Sequence, residues 1–206
     1  MSDSPPMPPS EMLPPNPPRV LYLGIDPGTT TGLALADGAD GRLVSVASAG
    51  PLATVRHLDA LAREHAAGAV LVRGVWIEDS RPLPIYARNR NANRGERDRI
   101  ARAVGHTDLL TGFYADLCAS HGWAVALVEP KRVAKWDADT LRRLAGWEAR
   151  TNEHGRDAAR LVFGRTSPPP EARTPTPSKV SADTSSRAPS TQRGGGSPRQ
   201  PRQRCP

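Results

Sequence analysis

The chain has 206 residues and a formal net charge of +7, a length that holds one ordinary domain with extended ends. Its two cysteines, Cys118 and Cys205, cannot form a metal knuckle, and disulfides are not expected. No apolar stretch approaches a membrane span and the N-terminus lacks a charged-then-apolar leader, so a cytoplasmic protein with no membrane partner is expected.

Composition divides the chain into three. Residues 1–18 are dense in proline and read as an extended, disordered arm. Residues 165–206 are Ser, Thr, Pro, Gly and Arg with almost no aliphatic side chains, and read as a disordered basic tail. Nearly all the Val, Leu, Ile and Trp lies in residues 19–164, enough for a real core. From Arg165 onward, eight Lys and Arg stand against Glu171 and Asp183, a surplus of +6, while residues 1–19 carry −1. Val20 to Gly164 therefore holds only +2, and the basic character belongs mostly to the tail. Such a tail either attaches to phosphates in a salt-dependent way or simply solubilises the protein. Within the core, Arg88, Arg90, Arg94, Arg97, Arg99 and Arg102 outnumber Glu96 and Asp98, a better candidate for specific phosphate contact.

In chain order, RVLYLGID reads as a strand apolar on both faces, followed at once by the turn DPGTTTG. TGLALAD and LVSVASAG continue as two more strands, which makes a β-meander. Pro51 to Ala67 carries Leu52, Val55, Leu58, Leu61 and Ala62 at helical spacing, with Gly68 to end the helix. AVLVRGVWIED is the next strand. Residues 94–121 read as a helix burying Ile100, Val104, Leu109, Leu110, Phe113 and Leu117. WAVALVEP is a strand stopped by Pro130. KRVAKWDADTLRRLAGWEAR and NEHGRDAARLVFG close the domain as helices, the second with Asn152 as N-cap. The expected fold is α/β, a mixed sheet in the order β-β-β-α-β-α-β-α flanked by helices, with no internal repeat.

Three places carry chemistry. Asp26 ends a buried strand just before Pro27 and Gly28 reverse the chain, so its carboxylate is presented at the sheet's edge. A cation is one plausible partner there, and the turn's own NH groups are the other. Glu78 ends GVWIED; if that strand lies beside the first, both carboxylates project from neighbouring strand ends and can share one ion. Asp79 points to the opposite face by strand alternation, and the competing reading is a solvated Glu-Asp pair. His154 and Asp157, three apart, share one face at the start of the last helix. Glu153 with Asp157 is a competing pair, and a lone histidine is as often structural as functional.

Together GIDPGTTTGLAL, VWIED and NEHGRDAARL resemble the RuvC-type Holliday junction resolvases of the RNase H-like superfamily, over roughly residues 20–164, with 80–120 matched only in pattern. HGRDAARL so near the core's end resembles the compact phage and phage-derived versions. The resemblance implies an RNase H-like fold, two Mg²⁺ ions replaceable by Mn²⁺, and hydrolysis of branched double-stranded DNA by a metal-activated water, usually in a homodimer acting in recombination and repair at the nucleoid. Carried over by motif, Asp26, Glu78, His154 and Asp157 are the catalytic and metal-site residues, with Asp26 bridging both ions and Glu78 and Asp157 holding one each. His154 either ligates an ion or orients the water. Lys131 and Lys135 fall where the family has basic residues, and with Arg88, Arg90, Arg94 and Arg97 they are candidate DNA contacts.

Other classes compete. Actin-like ATPases and sugar kinases share a DPGTTTG-like turn, but need a second phosphate loop and an adenosine motif, and the chain's glycine run, Gly194–Gly196, is in the tail. A non-catalytic DNA-binding relative would have lost a carboxylate, and all four positions are filled. A nuclease of the same fold acting on flaps, forks or RNA-DNA hybrids stays open.

Overall fold

A computed structural model describes residues 17–82, 93–130 and 135–170. The proline-rich arm up to residue 16, the segments carrying Arg88, Arg90 and Lys131, and everything from residue 171 lie outside the described residues. Among the described residues five strands form one sheet: β1 (Arg19–Asp26), β2 (Thr31–Asp37), β3 (Leu43–Ala49), β4 (Val70–Glu78) and β5 (Val125–Val128), in the spatial order β3-β2-β1-β4-β5. The meander β1-β2-β3 is antiparallel, whereas β4 joins β1 and β5 joins β4 in parallel. This is the mixed α/β sheet flanked by helices expected from the alternation of strand and helix patterns.

Helix α1 (Pro51–Ala66) and helix α2 (Arg94–Ser120) cover one face. There Leu21, Leu23 and Ile25 of β1 pack with Leu58, Leu61, Val75, Ile77, Tyr114 and Trp123. The other face belongs to helix α3 (Ala138–Ala145) and helix α4 (Glu153–Val162), whose Leu141, Ala158, Ala159, Leu161 and Val162 meet Tyr22, Ala34, Ala36 and Trp76. Both faces of β1 are covered, which explains its unbroken apolar run.

Helix lengths differ from the expected ones for local reasons. Among the described residues 135–150 only α3 is helical, and it starts where the Asp137 carboxylate accepts from the Thr140 amide. Gly146 then ends it in the left-handed region, at φ 64°. Along α2, Leu109 and Phe113 are 68% and 47% exposed, contrary to expectation. The buried stripe runs through Val104, Thr111, Tyr114 and Cys118, less hydrophobic residues at correct helical spacing. Leu52 is likewise exposed, and Thr54 takes its place inside.

Past Gly164, the Arg165 guanidinium lies 4.5 Å from the Trp76 ring centroid, and Pro169 is buried. The segment read as the start of a tail therefore lies against the sheet as far as these residues.

Two glycines decide how closely α4 approaches the sheet. A Cβ on Gly24 of β1 would strike the Ala158 carbonyl, and one on Gly32 of β2 would strike the His154 carbonyl. The helix backbone thus rests directly on strand backbone, and its first turn is set beside the end of β1. We predict that Gly32→Ala lowers stability by about 3 kcal/mol through overpacking that the backbone cannot relieve. A urea midpoint equal to that of the parent protein would show that α4 does not depend on this contact.

Candidate active site

The parallel register pairs Ile25 with Ile77. The next residues on the two strands are Asp26 and Glu78, so both carboxylates leave the sheet at neighbouring ends. Strand alternation puts them on the α4 side, with Gly24 and Trp76. Asp79 goes the other way: it is 8% exposed, and its carboxylate takes a bidentate pair of bonds from the Arg81 guanidinium at 2.7 and 2.9 Å. That ion pair holds the Asp79 carboxyl below the usual range and settles which of the two acids turns toward α4.

Helix α4 supplies the other groups. Its start is fixed by Asn152, whose side chain accepts from the Gly155 amide at 2.9 Å and donates to Ser48 Oγ of β3 at 2.7 Å. From that first turn His154 Nδ1 lies 2.8 Å from Asp26 Oδ2. With Asp26 ionised, Nδ1–H donates. Asp157 is 5% exposed, and the Lys135 ammonium sits 3.1 Å from its Oδ2. Arg160, one turn further along, brings Nη2 to 3.7 Å from Glu78 Oε2. The turn after Asp26 is also anchored: the buried Thr31 hydroxyl donates to the Gly28 carbonyl at 2.9 Å and lies 3.1 Å from the Tyr114 hydroxyl of α2.

The electrostatics show how close the acids are. Burial pushes Glu78 up to about 7, with the charges of Asp26 and Asp157 adding to the rise. Asp26 is also raised, first by burial, against the lowering effect of the His154 hydrogen bond. Like charges in a region poor in water favour protonation unless a cation intervenes. Glu78 Oε2 is buried without a hydrogen-bond partner, an arrangement that costs free energy as it stands.

The four residues singled out from the sequence, Asp26, Glu78, His154 and Asp157, are neighbours in space. They are not closed into a ligand shell: among the described residues no three His, Cys, Asp or Glu side chains form a group that could hold a metal ion. As placed, the acids are engaged by internal cations or by the imidazole, with Lys135 on Asp157, Arg160 on Glu78 and His154 on Asp26. The donor chemistry nonetheless fits a hard divalent cation, with three carboxylates, one imidazole and a buried oxygen lacking a hydrogen-bond partner. Lys135, a candidate DNA contact, has its ammonium turned into the cluster. Arg94 and Arg97 lie in the exposed first turn of α2. Sequence reasoning did not single out Arg160 or Tyr114. Arg160 could have been found three positions after Asp157, whereas nothing in the pattern marks a tyrosine in a long helix as the anchor of a distant turn.

No protein-family model matches the chain, and no curated protein matches it. Among solved structures, T. thermophilus RuvC in complex with Holliday junction substrate is similar over 70% of this chain and 91% of that one, at 19% identity and a TM-score of 0.41. At that level the likeness carries no functional argument.

The raised Glu78 gives a stability test. Its folded pKa of about 7 lies above the ordinary 4.5, so between those values the folded protein binds the extra proton and stability falls as pH rises, levelling off above 7. In EDTA, Glu78→Gln should therefore raise the melting temperature at pH 8 and leave it nearly unchanged at pH 4.5. A variant no more stable than the parent at pH 8 would mean that Glu78 bears no charge penalty.

Proposed function

We propose that this chain is a divalent-metal-dependent endonuclease that cleaves branched DNA, working at the cluster of Asp26, Glu78, His154 and Asp157. One observation carries the reading: two strand-end carboxylates stand side by side, a third acid and an imidazole come down on them from a single helix, and Glu78 keeps a buried oxygen with no hydrogen-bond partner. Structural carboxylates are normally satisfied by donors. Acids that raise one another's pKa on the rim of a sheet are more typical of functional sites.

Asp26, Glu78 and Asp157 are the residues that would hold the ion, Mg²⁺ or Mn²⁺, with His154 beside them. When bound, such an ion supplies the Lewis acidity that activates water and stabilises the departing 3′-oxygen of a phosphodiester. The protein's own groups prepare that chemistry. The hydrogen bond at Nδ1 fixes the orientation of the His154 ring and leaves Nε2 to accept a proton from an attacking water or to ligate. Arg160 lies beside Glu78 with its side chain only 18% exposed, so positive charge is built in next to the acids where an anionic strand has to approach. A homodimer fits this reading, because two incisions across a four-way junction need two centres.

Purified protein should nick a four-way junction with Mg²⁺ and leave it intact with EDTA, while acting less on linear duplex. Preference for flaps, forks or RNA-DNA hybrids would keep the nuclease and change its substrate. Asp26→Asn is expected to lose Mg²⁺-dependent cleavage by at least ~10²-fold while still retarding the junction in a gel; undiminished nicking would remove Asp26 from the chemistry. Ending the chain after Pro170 keeps Arg165 and Pro169 in place and removes most of the C-terminal positive charge. That truncation should weaken linear-duplex binding and flatten its salt dependence. An unchanged slope of log affinity against log salt would make the C-terminal segment a solubiliser.

A further inference from the structure

Lys135 precedes α3 and is 69% exposed along its side chain, yet its ammonium is turned inward. Nζ lies 3.1 Å from Asp157 Oδ2 and 3.9 Å from Glu153 Oε2, and its charge also acts on Asp26 and Glu78. An exposed lysine gains little from one carboxylate and gives up rotamer freedom to reach it. Three acids concentrated at one rim make a deeper well, and Lys135 is the cation that enters it from the solvent side. Arg160 differs: its side chain is largely buried and its guanidinium stands off at 3.7 Å. His154 is tied to Asp26.

Asp157 is nearly buried, so few other partners can reach its carboxylate. A divalent cation bound to the same oxygen would sit at roughly 2.0–2.5 Å. The ammonium would then be held against a doubly charged ion in a water-poor site, which Coulomb repulsion forbids. Of the two, the lysine is the one that can leave, because its flexible four-carbon stem already lies mostly in water.

We infer that Lys135 is a built-in competitor for the divalent ion: its ammonium holds the Asp157 side of the cluster, withdraws into solvent when the ion binds, and so sets the ion's affinity. This rests on the metal-site reading above, but it makes a separate and opposite claim about one residue. Removing a basic residue from a site that binds DNA would ordinarily be expected only to weaken function, whereas here it strengthens ion binding.

The test is calorimetric titration of the full-length protein with Mn²⁺ in the absence of DNA. Lys135→Met should bind about fivefold more tightly than the parent, as expected for removing a favourable ion pair of a partly exposed lysine with several acids. Lys135→Arg, which keeps the charge, should stay within twofold of the parent. As a second readout, the rise in melting temperature on adding saturating Mn²⁺ should be larger for Lys135→Met than for the parent, because the ion then replaces a missing cation. Circular dichroism of each variant establishes that it is folded. Affinity of Lys135→Met equal to or weaker than that of the parent overturns the inference. Asp26→Asn separates this failure from that of the site: if Asp26→Asn loses Mn²⁺ binding while Lys135→Met gains none, the metal site stands and Lys135 is no competitor. If Asp26→Asn binds Mn²⁺ like the parent, the metal-site reading falls, and the inference with it.

Discussion

Negative charge gathered where water is scarce is the constraint around which the rim of this sheet is built. Asp26 and Glu78 are forced together by the parallel pairing of β1 with β4, and Asp157 is brought onto them by α4. Unit charges a few ångströms apart at a protein surface interact by several kcal/mol, a large part of the 5–15 kcal/mol that ordinarily holds a domain folded. The fold answers with two cations and a hydrogen-bonding imidazole, Lys135 from ahead of α3, Arg160 from the middle of α4 and His154 from its first turn. Even so, Glu78 is held up to about 7. The compensation is incomplete, which is the condition under which a polyvalent cation gains most by binding.

What keeps the acids from relaxing apart is packing elsewhere. On the α1 and α2 side, large side chains such as Ile25, Leu58, Ile77 and Tyr114 fill the core. On the α4 side, the contact is made by Gly24, Gly32, Ala34, Ala36, Ala158 and Ala159, which lets backbone meet backbone. Small residues there give up hydrophobic area but fix the helix closely. A side chain carried on such a helix inherits the positional precision of the sheet, and sites built on regular elements hold their geometry better than sites on loops.

The central strands and the meander were legible because each is a continuous apolar run or an alternating one, bounded by turn residues. The nearness of Asp26 and Glu78 stayed conditional on the neighbour of β1, which the parallel register of β4 supplies, whereas the cap at Asn152 was legible from its residue type. Burial along α2 was less legible. Thr111, Tyr114 and Cys118 form its inner stripe while Leu109 and Phe113 face outward, because helical phase, set by the whole chain of contacts, outweighs the hydrophobicity of single residues. Lys135 is a different case. Its charge suggests a phosphate partner, and only the fold shows that three acids lie within its reach. Arg165 and Pro169 sit in a composition that reads as tail, and their contacts with Trp76 and with the strand at Gly74 depend on an aromatic surface that no local pattern announces.

The two faces of the sheet therefore have different work. On the α1 and α2 face Thr31, though close to Asp26 in sequence, spends its hydroxyl on Gly28 and Tyr114. That bond pair pins the reversal after β1, so Asp26 cannot follow its turn into solvent when charge builds up beside it. The α4 face leaves an acid oxygen without a hydrogen-bond partner and depends on groups that differ in how freely they move, a packed arginine, a hydrogen-bonded imidazole and a lysine mostly in water. A site stabilised only by fixed cations would be closed to exchange, and one with none would push its acids apart or protonate them. With one mobile cation among fixed ones, the cluster can stay ionised and still accept a stronger competitor, and that combination follows from exposure, distance and side-chain length in this chain.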